Sequence, residues 1–97
     1  MLSKKQKQYL KGLANPLKPV VIIGAGGLSE NIIKSVNEYL ERHELLKINV
    51  LKSCEQEIEE LVLDVMATTG AELISQLGRK IVIYRRNNEQ PVIELPK

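Results

Sequence analysis

The segment Val20-Val21-Ile22-Ile23 runs directly into Gly24-Ala25-Gly26-Gly27 and then into Leu28-Ser29-Glu30. A short β-branched run of this kind suits a buried strand. Glycines allow the chain to reverse tightly and let another backbone or a ligand approach closely. Ser29 is placed to cap a helix, and Glu30 suits the positive end of that helix's dipole. Leu28 before the cap and Ile33 after it form a hydrophobic staple. Ile32, Ile33, Val36, Tyr39 and Leu40 then recur at helical spacing, and the helix ends near His43. The segment reads as a buried strand running through a tight turn into an amphipathic helix.

The rest of the chain extends this pattern. Ser3 and Gln6 form a capping box that opens a first helix. Leu10 and Leu13 with Tyr9 give it an apolar stripe, and Gly12 and Asn15-Pro16 end it. A second strand is expected at Leu46–Leu51, where Leu46, Ile48 and Val50 alternate. Ser53 and Gln56 read as a second capping box, opening a third helix whose stripe is Ile58, Leu61, Val62, Val65 and Met66. Gly70 stops it. Ala71–Leu77 and Lys80–Tyr84 form a hairpin about Gly78-Arg79. Pro91–Leu95 reads as a short edge strand or an extended tail. No internal repeat is seen. The order α-βαβα-ββ argues for a parallel or mixed sheet in an α+β fold. Its simplest packing has two layers, with the helices on one face.

With 97 residues, 43% of them hydrophobic and 27% charged, the chain is expected to fold as one domain with one core. No apolar run approaches the ~20 residues of a membrane span, and the basic N-terminus lacks a signal peptide's apolar centre. A single cysteine, Cys54, excludes an internal disulfide and a cysteine-based zinc cluster. These features suggest a cytoplasmic protein. The net charge is only +2, but it is unevenly spread. Residues 1–27 carry Lys4, Lys5, Lys7, Lys11 and Lys18 with no acid, whereas residues 53–72 carry Glu55, Glu57, Glu59, Glu60, Asp64 and Glu72 with no base. Charge segregation speaks to partners rather than to fold.

The glycine turn has three readings. Gly24-x-Gly26-x-x-Ser29 approximates a dinucleotide-binding fingerprint, but the second strand ends in Leu51-Lys52-Ser53, without the acid that would hold a ribose. Gly24-Ala25-Gly26-Gly27 is also a G-x-x-G sequence, the pattern with which KH domains clamp a nucleic-acid backbone. The third reading is a tight turn whose glycines serve packing alone. His43 at a helix end and Cys54 early in the third helix read as structural residues. No nucleophile–base set is present, so an enzyme is not expected, and no cofactor or metal is implied.

Taken together, several segments resemble the stand-alone bacterial CRM-domain proteins of the YhbY type. They are Leu2-Ser3-Lys4-Lys5-Gln6-Lys7-Gln8, Leu10-Lys11-Gly12-Leu13-Ala14, Leu17-Lys18-Pro19-Val20-Val21, Gly24–Glu30, His43-Glu44-Leu45-Leu46-Lys47 and Ile83-Tyr84-Arg85. The resemblance covers nearly all of residues 2–97. It implies an N-terminal helix plus a βαβαββ unit with a four-stranded mixed sheet, like the C-terminal domain of translation initiation factor three. It also implies RNA binding tied to precursors of the large ribosomal subunit, with Gly24, Ala25, Gly26 and Gly27 as the contact loop. Family members often carry a polar or basic residue inside that loop. Here both inner residues are small, so contact would rest on the backbone. Lys7 and Lys11, four apart on one helix face, would form a basic footprint with Lys18, extended by Arg85. A monomer is expected, because no surplus apolar face stands out. A protein-binding adaptor in the same pathway and a small nucleotide-binding module are the alternatives.

Overall fold

The structure, a computed structural model, describes residues 2–97. Seven elements follow in order: α1 (Lys4–Ala14), β1 (Val21–Ile23), α2 (Glu30–His43), β2 (Leu45–Val50), α3 (Ile58–Thr69), β3 (Glu72–Leu77) and β4 (Lys80–Tyr84). The strands form one mixed sheet in the order β1-β2-β4-β3. β1 pairs parallel to β2, while β4 runs antiparallel to both of its neighbours. A parallel pair needs a crossover, and α2 supplies it.

The central strands β2 and β4 organise the interior. Leu46, Ile48, Val50, Ile81 and Ile83 join a core beneath α2 and α3, with Val36 and Leu40 from α2 and Leu61, Val62 and Val65 from α3. Leu45, Val82 and Tyr84 belong to a second cluster, with Leu10 and Ala14 of α1. Successive strand residues face opposite ways. The two clusters therefore lie on opposite faces of the sheet. This corrects the expected two layers with all helices on one face: α1 lies across the sheet from α2 and α3, giving three layers. The uninterrupted run Ile81-Val82-Ile83-Tyr84 requires it, since a strand apolar on both faces needs cover on both.

Local signals explain most boundaries. Ser3 Oγ accepts from the Gln6 amide at 3.1 Å and Gln6 Oε1 from the Ser3 amide at 3.0 Å, completing the first capping box. The helix passes through Gly12, and its covered stripe is Gln6-Leu10-Ala14; Tyr9 and Leu13 are exposed. The second capping box does not form. Ser53 lies in a turn in which the Cys54 amide donates to Leu51 O at 3.0 Å, and the Gln56 side chain donates instead to Asp64 Oδ2 at 2.6 Å. Cys54 is buried in the core, and α3 starts only at Ile58.

Residues 91–95 form no strand. The buried carboxylate of Glu44 ties them down. This residue follows α2 with a φ of 64° in the left-handed region. Its Oε1 accepts from the amides of Val92 at 2.7 Å and Ile93 at 2.6 Å, and its Oε2 from the amide of Asn87 at 2.6 Å. Ile93 and Leu95 then pack against the α1 cluster. Burial first, and then the Glu44 carboxylate, push the nearby Tyr84 phenol above its usual 10.0. Glu44→Gln should not be neutral. It replaces one accepting oxygen with an NH2 that faces an N–H donor. A loss of about 2 kcal/mol in urea unfolding is expected, with faster amide exchange at Val92 and Ile93.

Candidate nucleic-acid interface

The glycine turn projects from one end of the sheet. The Ile23 carbonyl accepts from the Leu51 amide at 2.8 Å, carrying the β1–β2 ladder to the edge of the loop. The Gly27 amide then donates to Gly24 O at 2.9 Å and closes the turn. Ala25 and Gly26 form its exposed tip. Among the described residues, the amides of these two donate to no protein acceptor. Gly27 has a φ of +64°, which glycine alone adopts without strain, and it leads through Leu28 to Ser29. Ser29 Oγ accepts from the Ile32 amide at 3.2 Å, capping α2 as expected. The turn therefore presents free backbone donors beside the positive end of a helix, an arrangement suited to a phosphate. Glu30, in the first turn of α2, is the acid nearest to it in sequence.

The pairing of β2 with β1 and with β4 decides which cations flank this loop. β1 and β2 end at the same edge, so Leu51 and then Lys52 follow β2 where Gly24 and Ala25 follow β1. A methyl group added to Gly24 would meet Leu51 Cδ1 at 3.4 Å and Ser53 Oγ at 3.5 Å. Arg79, in the β3–β4 turn, donates from Nη1 to Leu51 O at 3.3 Å, and its carbonyl accepts from the Val50 amide at 2.8 Å. Lys52 and Arg79 were not singled out from the sequence as contact residues. For Lys52 the signal was there, since two parallel strands place the residues after them side by side; Arg79 arrives instead through the antiparallel β2–β4 pairing.

The predicted cations fall in different places. α1 covers β2, β4 and β3 rather than β1, so Lys7 and Lys11 do not abut the loop. Lys11 instead reaches the groove between the end of α1 and the β3–β4 hairpin, one turn beyond the half-buried Lys7. Lys18 is exposed on the connection from α1 to β1. Arg85 is at the far end of the sheet from the glycine turn, because β4 runs toward the end at which β2 begins. Its guanidinium donates to Asn37 Oδ1 at 2.7 Å, Thr69 O at 2.6 Å and Asn37 O at 3.2 Å, and pairs with Glu41 at 3.4 Å. It fastens α2 and the end of α3 to β4 and has no place in a surface around the loop. His43, also placed at a helix end, is exposed and stacks on Tyr39 with ring centroids 4.3 Å apart.

A mixed four-stranded sheet with a displayed G-x-x-G turn between a strand and a helix defines a small α+β domain built around that loop. The chain belongs to the CRS1 / YhbY (CRM) domain family, whose description matches residues 2–85. It is 36% identical over 96 residues to the Probable RNA-binding protein YqeI of Bacillus subtilis, covering 99% of this chain and 100% of the relative. It is 38% identical over 97 residues to an RNA-binding protein of Haemophilus influenzae, covering 99% and 96%. The solution structure of the hypothetical protein SAV1595 from Staphylococcus aureus, described as a candidate RNA-binding protein, superposes with a TM-score of 0.81. That protein is 43% identical, and the match covers 99% of this chain and 100% of it.

Two outcomes test this geometry. Gly27→Ala should cost about 1 kcal/mol in urea unfolding through its positive φ. Gly26→Ala, with nothing within 4 Å of the added carbon, should stay within about 0.5 kcal/mol of the parent. Separately, Arg85→Met should cost about 2 kcal/mol by stranding the Thr69 and Asn37 acceptors. The salt dependence of nucleic-acid binding should be the same as the parent's.

Proposed function

We propose that this protein binds RNA through the Gly24–Gly27 turn and the basic surface beside it, and assists assembly of the large ribosomal subunit. The observation that carries the reading is the exposed turn with unengaged amides at Ala25 and Gly26, flanked by Lys52 and Arg79. Backbone amides contact phosphate without reading bases, so recognition is of shape and backbone. With three tyrosines and no Phe or Trp, the chain has little with which to stack bases. Relatives over the full length of the chain carry RNA-binding names. The link to large-subunit precursors follows from the family resemblance. In this reading residues 1–97 act as one domain, as a monomer, in the cytoplasm, without a cofactor and without catalysis. Leu51, Lys52 and Ser53 follow β2 where a nucleotide-binding fold would place its ribose acid, and none is a carboxylate, which disfavours a nucleotide module.

The test is a sucrose-gradient profile of a tagged copy in a bacterial lysate, paired with RNA affinity measured across salt. Co-migration with large-subunit precursors is expected, lost in the variant Ala25→Asp with Gly26→Asp. With about four phosphates contacted, affinity should fall roughly a hundredfold between 50 and 200 mM salt. Co-migration that ignores both salt and the loop variant would replace RNA binding with a protein-binding adaptor. A protein that stays at the top of the gradient in low salt would overturn the ribosomal assignment.

A further inference from the structure

α1 covers only part of its face of the sheet. Leu10 and Ala14 sit over Leu45, Val82 and Tyr84, and the helix ends there. Beyond it, toward the glycine turn, the same face stays open. The register defines its last row: Ile22 pairs with Asn49, Asn49 with Lys80, and Lys80 with Leu77. Directly paired residues share a face. Ile22 is 54% and Leu77 83% exposed. With strands about 4.8 Å apart, this row spans about 14 Å, starting two residues before Gly24.

Behind the row lies a groove of about 140 Å³, lined by Lys11, Asn15, Lys47, Ser75, Gln76 and Lys80 among others. Its three lysines come from α1, β2 and β4. Lys47 Nζ donates to Asn15 O at 3.5 Å, and the one ion pair among the described residues is Arg85–Glu41, elsewhere. Each chain segment that contributes to the groove is free of acids over a long stretch: residues 1–29, 45–54 and 73–88. Lysines gathered without a carboxylate repel one another, and a polyanion relieves that repulsion.

The geometry points to a second RNA contact: the sugar–phosphate backbone of a single strand leaving the Gly24–Gly27 turn crosses the open sheet row and seats its phosphates on Lys47, Lys80 and Lys11. The exposed Ile22 and Leu77 side chains flank this path and offer apolar contact to sugars or bases. This contact rests on the RNA-binding reading above and extends it to a face of the sheet that the loop does not touch. The groove is lined by the apolar Ala14, Leu77 and Val82 as well as by polar residues, but its charged residues, Lys11, Lys47 and Lys80, are all cations, so charge complementarity selects a polyanion.

The test compares two charge-matched pairs. Lys47→Gln with Lys80→Gln removes two groove cations; Lys34→Gln with Arg42→Gln removes two from α2, on the opposite side of the sheet. Binding of a short fluorescein-labelled single-stranded RNA of mixed sequence is measured from about 50 to 200 mM salt, with thermal unfolding as a folding check. The groove pair should weaken binding uniformly and lower the salt slope by about two, so that the hundredfold loss over this range shrinks to roughly tenfold. The α2 pair should bind as the parent does. Equal losses from both pairs would mean that net charge alone acts, and the groove would be rejected. Parent-like binding by the groove pair, with binding lost in Ala25→Asp with Gly26→Asp, would reject the groove and keep the loop. If the unaltered protein shows no salt-dependent RNA binding, the underlying reading fails.

Discussion

The central pair β2–β4 carries apolar side chains on both of its faces, and the other elements are arranged around that fact. Leu46, Ile48, Ile81 and Ile83 are fully buried on one side, while Leu45, Val82 and Tyr84 are buried on the other. Fully burying a large aliphatic side chain contributes on the order of 2 kcal/mol, so neither face can be left to water. The crossovers α2 and α3 are committed to the first face by the connections they make. Only α1 is free to cover the second, and the C-terminal tail completes that cover through Ile93 and Leu95. The tail has no ladder to join, and its amides find the buried Glu44 carboxylate instead. A charge buried without a cation is tolerated because three N–H donors converge on it.

This layering also sorts the charge. The acids of residues 55–64 flank or lie on α3, on one side of the sheet. α1, the loop-side strand ends and the β3–β4 hairpin come from segments without acids. A net charge of +2 thus conceals an uneven distribution, although Arg79 of the hairpin lies beside Glu55 and Glu57, and Glu94 of the tail beside Tyr9 of α1. The glycine turn sits at the sheet edge between β1 and α2. Because β1 is parallel and β4 antiparallel to β2, Lys52 and Arg79 gather around it from distant parts of the chain.

Much of this was legible along the chain. Seven elements appear in the expected order, because caps and stops are local devices: Ser3, Ser29 and Gly70 act within one turn of where they stand. The Ser53 signal failed because a cap requires the helix to start there, and the demands of burying Cys54 and turning after Leu51 came first. Arg85 looked like a surface cation because it follows a strand in a basic stretch. Its role as a fastener depends on Asn37 and Thr69, which no spacing brings near it.

By itself the sequence determined the elements, the glycine turn with its capped helix, and the absence of acids from the segments that contribute to the groove. Hydrogen bonds between near neighbours and the periodicity of apolar residues set these, and both are written locally. Only the tertiary structure decided the face on which α1 lies, the anchoring of the tail by Glu44, the withdrawal of Arg85 and the meeting of Lys11, Lys47 and Lys80 in one groove. Each depends on strand order and register, which set distances between residues far apart in the chain. The physical reason is that a sheet brings its strands about 4.8 Å apart whatever their separation in sequence.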